Sequence, residues 1–96
     1  MRRDARTDAN QAEVVKALRG IGASVVSLAS VGAGVPDLMC GFRGVNWLLE
    51  VKDGSKSPSR RVLTADEKAF MAEWRGQYAV VESASQAVEI LTASAA

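Results

Sequence analysis

Three residues in the middle of the chain have side chains suited to acid and cation chemistry: Asp37, Glu50 and Lys52. The segments around them are apolar and alternate with period two. Leu38, Cys40 and Phe42 form one arm, and Trp47, Leu49 and Val51 form the other. That alternation predicts two strands, and Arg43-Gly44 between them predicts a tight hairpin turn, because glycine tolerates positive φ. With the turn centred there, Asp37 falls directly opposite Glu50. Like charges facing each other across strands repel. Lys52 lies two residues beyond Glu50 and projects from the same face. Two facing carboxylates with a lysine beside them are unfavourable for a fold and useful for a divalent cation. Magnesium is held by one or two carboxylates. It neutralises phosphate charge and makes nearby water more acidic, which is what phosphodiester hydrolysis needs. The lysine can orient water or stabilise developing charge. The Val51 carbonyl is a further hard oxygen. As a bare pattern, an acid followed later by Glu-x-Lys also occurs as a solvated ion pair on an edge strand. The register and the apolar setting favour the site.

Further candidates are weaker on their own. Glu13, with Gln11 near it, lies in the early turns of a predicted first helix and could add a metal contact. Acids there are also favoured simply by the helix dipole. Arg2, Arg3, Arg6, Lys16 and Arg19 crowd the start of the chain, and Lys56, Arg60 and Arg61 crowd its middle. Such a basic set suits phosphate contacts, and each residue alone also reads as a solubilising surface. Trp47, Phe70 and Trp74 read as core. Cys40 reads as a small buried hydrophobe.

Composition narrows the chemistry. The chain has no histidine and one cysteine among 96 residues. This excludes a Ser-His-Asp triad, a Cys-His pair, histidine-ligated zinc and an internal disulfide. No apolar run reaches the ~18–20 residues of a membrane span, and the basic N-terminus lacks the apolar region of a signal peptide. A cytoplasmic protein without a membrane partner is expected. The apolar fraction of 48% fits a globular chain.

The positioning elements read as follows. Thr7 or Asp8 can cap a helix to about Arg19, ended by Gly20 or Gly22. Ser24 to Ser30 is a first strand. Gly32 to Gly34 form a flexible crossing, and Val35-Pro36 imposes an extended entry to the hairpin. Residues 53–59 form a loop. Thr64 and Glu67 make a capping box for a second helix, stopped by Gly76, with Phe70, Met71 and Trp74 as its apolar stripe. Tyr78 to Glu82 is a fourth strand. Ser83 and Gln86 begin a third helix, and residues 1–7 and 92–96 are tails. The order α-β-β-β-α-β-α predicts one α/β domain with a mixed sheet flanked by helices.

Gly34-Val35-Pro36-Asp37-Leu38, Leu49-Glu50-Val51-Lys52-Asp53-Gly54 and Leu63-Thr64-Ala65-Asp66-Glu67, in that order, resemble the PD-(D/E)XK nuclease superfamily. Within it the chain is similar to stand-alone VRR-NUC (virus-type replication-repair nuclease) domains. The resemblance runs from about Asn10 to Ile90. It implies a restriction-endonuclease-like αβββαβ core followed by a C-terminal helix. It also implies that Asp37 and Glu50 bind Mg2+ or Mn2+ with the Val51 carbonyl, that Lys52 is catalytic, and that Glu13 matches the first-helix acid, with Gln11 as an alternative at that position. Stand-alone members resemble Holliday junction resolvases, so it further implies a homodimeric DNA endonuclease acting on branched DNA such as four-way junctions, of phage or prophage type. Glu67 stands where relatives often carry glutamine. Two other functions fit the same residues: a nucleic-acid-binding module that does not cut, and a nuclease subunit that needs a larger replication or repair partner.

Overall fold

The computed structural model describes residues 9–94. Their order is α1 (Ala9–Gly20), β1 (Ser24–Ser27), β2 (Leu38–Phe42), β3 (Val45–Val51), a 3-10 turn at Pro58–Arg60, α2 (Ala65–Glu73), β4 (Gln77–Val81) and α3 (Ala84–Ser94). This is the expected α/β order. The caps expected at Thr7 or Asp8, and Arg2, Arg3 and Arg6, lie outside the described residues.

The hairpin forms because its turn and its alternation agree. Arg43 and Gly44 both take positive φ, at 51° and 82°. Two such residues match the twist of the flanking strands. The register pairs Leu38 with Leu49, Met39 with Leu48 and Cys40 with Trp47. β1 adds antiparallel to β2, and β4 returns parallel to β3 after the α2 crossover, giving one mixed sheet in the order β1-β2-β3-β4. A parallel return needs such a long connection, and a helix is its usual form.

The period of two divides the sheet into unlike faces. Val25, Leu38, Cys40, Trp47, Leu49 and Val81 join Val14 and Leu18 of α1 and Ala87 and Leu91 of α3 in one buried core. The opposite face carries Val26, Met39, Leu48, Glu50, Tyr78 and Val80. α2 meets that face through Phe70, whose ring lies 6.3 Å from that of Tyr78. No residue of α2 is fully buried, so the cover on this side is thin. Gly34, at φ +83°, lets the start of α2 settle on the loop before Pro36, and a Cβ there would collide with the Asp66 carbonyl.

Several boundaries differ from expectation. β1 ends at Ser27 rather than Ser30, because the Val31 N–H donates to the Leu28 carbonyl and closes a turn. α2 ends at Glu73, before Gly76: Trp74 donates its N–H to the Phe70 carbonyl and then turns extended (ψ 129°). β4 begins and ends one residue early, at Gln77 and Val81. Residues 92–94, expected in a tail, continue α3, and the Thr92 hydroxyl donates to the Val88 carbonyl at 2.8 Å. Trp74 is not core. It is 44% exposed and stacks on Phe70 at 5.4 Å. Trp47 and Cys40 are buried as expected, and burial pushes the Cys40 thiol up to about 11, which leaves it unreactive.

Candidate active site

Asp37 immediately precedes β2, and the hairpin register continued by one pair sets it opposite Glu50. Both ends of the residue are held. Its carbonyl accepts from the Leu28 N–H at 2.8 Å, and its Oδ2 accepts from the Val51 N–H at 2.8 Å. The carboxylate thus extends the β2–β3 ladder beyond the end of β2. The N–H and C=O of one strand residue leave on the same side, so the Val51 carbonyl faces the Asp37 side of β3. Buried Pro36 fixes the entry.

Glu50 is 3% exposed, and its Oε1 has no hydrogen-bond partner among the described residues. Its Oε2 lies 3.6 Å from Lys52 Nζ. Lys52 leans instead on Glu67, whose Oε1 accepts from Nζ at 2.9 Å. The same oxygen accepts from the Thr64 N–H at 2.9 Å, while the Glu67 N–H donates to Thr64 Oγ1 at 3.1 Å. The capping box of α2 therefore also anchors the lysine. The Asn10 amide donates to the Lys52 carbonyl at 2.7 Å and to the Glu82 carbonyl at 3.2 Å, tying the start of α1 to the ends of β3 and β4.

The electrostatics are those of crowded acids. Burial, then the charges of Asp37 and Glu67, push the Glu50 carboxyl up to about 9 despite Lys52. Burial also raises Asp37, against the opposing pull of the Val51 N–H. Burial would raise Glu67 too, but hydrogen bonds from Lys52 and Thr64 outweigh it and hold the carboxyl below its usual range. For Lys52, burial favours the neutral amine, yet the Glu67 bond and the surrounding carboxylates prevail and raise its pKa. Three acids thus share one lysine, Glu50 also hydrogen-bonds with the Asp37 and Glu67 carboxyls, and among the described residues no donor reaches its Oε1. That arrangement fits a hard divalent cation. Among the described residues no three or more Asp, Glu, Cys or His are grouped so as to hold a metal ion. Magnesium does not require such a group, since it keeps several waters and takes one or two carboxylates.

No protein-family model matches the chain, and no curated protein matches it significantly. A solved structure described as a "VRR_NUC domain" superimposes with a TM-score of 0.61 at 25% identity, covering 85% of this chain and 89% of that one. The chain has the VRR-NUC fold. The VRR-NUC fold points to a nuclease of the PD-(D/E)XK type.

On this VRR-NUC fold the hairpin trio comes together as expected, and the other candidates are dispersed. Glu13 is exposed and lines a different hollow, with Asn10, Asp53, Glu82 and Glu89, whose lining includes neither Asp37 nor Glu50. Gln11, Lys16 and Arg19 line another hollow on α1, in the layer behind the sheet. Arg19 also donates to the Val25 carbonyl at 3.0 Å, closing part of the β1 edge. Arg61 pairs with Glu82 at 3.1 Å. Lys56 and Arg60 do reach the site's surroundings, lining a hollow of about 250 Å³ with Val51, Lys52 and Asp53. Two residues on the site's face of the sheet, Glu67 and Tyr78, are not legible as such in the sequence. Glu67 signals a helix cap, and its link to Lys52 depends on where α2 lands. Tyr78 signals only a strand, and the parallel register decides its neighbours.

Proposed function

We propose that the chain is a Mg2+- or Mn2+-dependent DNA endonuclease, selective for branched DNA such as four-way junctions and active as a homodimer. The observation that carries this reading is Asp37 at the entry to β2 facing Glu50 of β3, with Glu50 Oε2 3.6 Å from Lys52 and the buried Oε1 without a partner among the described residues. Asp37 and Glu50 would hold the cation, with the Val51 carbonyl as a further oxygen ligand. The cation, when bound, neutralises charge on the phosphate and makes an attacking water more acidic. Lys52, held by Glu67, would orient that water or stabilise the charge that develops on the phosphate. Lys56 and Arg60, around the hollow next to Val51 and Lys52, suit an adjacent backbone phosphate. Glu13 would contribute only from its own hollow nearby. A second copy could cover Val26 and Met39, which are 50% and 42% exposed on the sheet face beside α2.

The test is cleavage of a four-way junction, a flap and a linear duplex with Mg2+, Mn2+ or EDTA, alongside light scattering for subunit number. Metal-dependent cutting of the branched substrates, lost in Lys52→Ala, is expected. Intact DNA in every lane, or undiminished cutting by Lys52→Ala, refutes the reading.

A further inference from the structure

Two oxygens on the site's face of the sheet are buried without a partner among the described residues: Glu50 Oε1 and the Tyr78 hydroxyl. Buried polar atoms are partnered in the great majority of cases, so each needs a reason. The register brings them into one neighbourhood. Across parallel β3 and β4, Leu48 pairs with Tyr78 and Glu50 pairs with Val80. Tyr78 is therefore the diagonal neighbour of Glu50, on the face that also carries Lys52, within reach for a long aromatic side chain. Phe70 of α2 covers the ring. The phenol is held up to about 12, by burial first and then by the charges of Glu50, Glu67 and Asp37. Phenylalanine would fill the same space without an unsatisfied hydroxyl.

A Glu50 that binds a cation is a carboxylate, an acceptor with more lone pairs than the metal uses. A neighbouring O–H donor is what it lacks. We propose that Tyr78 is a positioning residue of this site, donating its O–H to the Glu50 carboxylate, directly or through one water, and so holding Glu50 in its metal-binding orientation. The proposal rests on the cation-dependent reading of the site. Outer partners of this kind are worth about tenfold or more in metal affinity.

Tyr78 is the single tyrosine of the chain, so carbon-13 at tyrosine Cζ gives one NMR resonance. Titration of the wild-type chain with Mg2+ at constant pH should shift it saturably, and Glu50→Gln should abolish the shift. Tyr78→Phe should bind Mn2+ about tenfold more weakly, yet be at least as stable as wild type in EDTA, because it removes an unpartnered hydroxyl. If wild type binds Mn2+ but the resonance stays still, or Tyr78→Phe keeps full Mn2+ affinity, the role of Tyr78 is overturned and the metal site stands. If Tyr78→Phe is destabilised in EDTA, the hydroxyl is structural and the proposal likewise fails. If wild type binds no Mn2+, both readings fail.

Discussion

Glu50→Gln should stabilise the metal-free protein at neutral and alkaline pH. In the fold, Glu50 is 3% exposed and its carboxyl is raised from 4.5 to about 9, by burial and by facing Asp37 and Glu67. Below pH 4.5 both folded and unfolded chains carry the proton, and Glu50 adds no pH dependence. Between 4.5 and 9 the folded chain keeps the proton and the unfolded chain has lost it. The unfolded state then binds fewer protons, so stability falls as pH rises, at up to about 1.4 kcal/mol per unit. By pH 7 the accumulated penalty is at most about 3.4 kcal/mol. Asp37 shifts in the same direction and adds to the slope. Glu67, shifted down, contributes stability that is present above its usual value and lost only on further acidification. Lys52, shifted up, contributes stability that is lost only at strongly alkaline pH. Neither interferes between pH 6 and 9. The glutamine amide is neutral throughout, and retaining part of the hydrogen bonding leaves an expected gain of about 2 kcal/mol, roughly 10 °C in melting temperature for a domain this small. The assay is thermal or urea unfolding of wild type and Glu50→Gln in EDTA, from pH 5 to 9. The two curves should converge near pH 5 and separate as pH rises. Mg2+ should then raise the wild type, by about 2.7 kcal/mol at a hundred times its dissociation constant, and leave the variant unmoved. A variant less stable than wild type at pH 8 in EDTA, with the wild-type pH slope intact, refutes the electrostatic account of this site.

Glu67→Ala removes both the α2 cap and the partner of Lys52, and should destabilise the fold by about 1–2 kcal/mol in urea melts, while Glu67→Gln, whose amide oxygen can still accept from Thr64, should lose less than half as much. Gly34→Ala forces a side chain into positive φ and into the Asp66 carbonyl, so a loss of about 2–3 kcal/mol is expected; a melt within 0.5 kcal/mol of wild type would show that α2 does not rest on that loop. Lys56→Ala and Arg60→Ala should each weaken DNA binding alike across sequences and lower the slope of log affinity against log salt by about one, whereas Arg61→Ala, already paired with Glu82, should change the slope much less.

What could be read from the residues alone was local. The Asp37–Glu50 register follows from one turn and the alternation beside it, and both are properties of neighbouring residues. The capping box at Thr64 and Glu67 is equally local, since all its atoms lie within one helical turn. The element order and the mixed sheet follow from such signals in sequence. The composition of the site beyond the hairpin does not. Glu13 and Arg19 carry suitable charges, but α1 is fixed by Val14 and Leu18, whose burial places the helix behind the sheet. Trp74 has the bulk of a core residue, yet α2 covers its sheet face too thinly to enclose it. Arg61 carries a charge suited to phosphate, and only the fold shows that it is paired with Glu82. Glu67 reaches Lys52, and Tyr78 shares the face of the acids, only because α2 crosses back over the face opposite the core and sets β4 parallel to β3. The facing pair of acids is thus determined by the sequence alone, because a hairpin closes over a few residues. The link of a third acid to Lys52 and the placement of a phenol on the same face are decided by tertiary structure, because a distant helix and strand must pack against that hairpin to bring Glu67 and Tyr78 there.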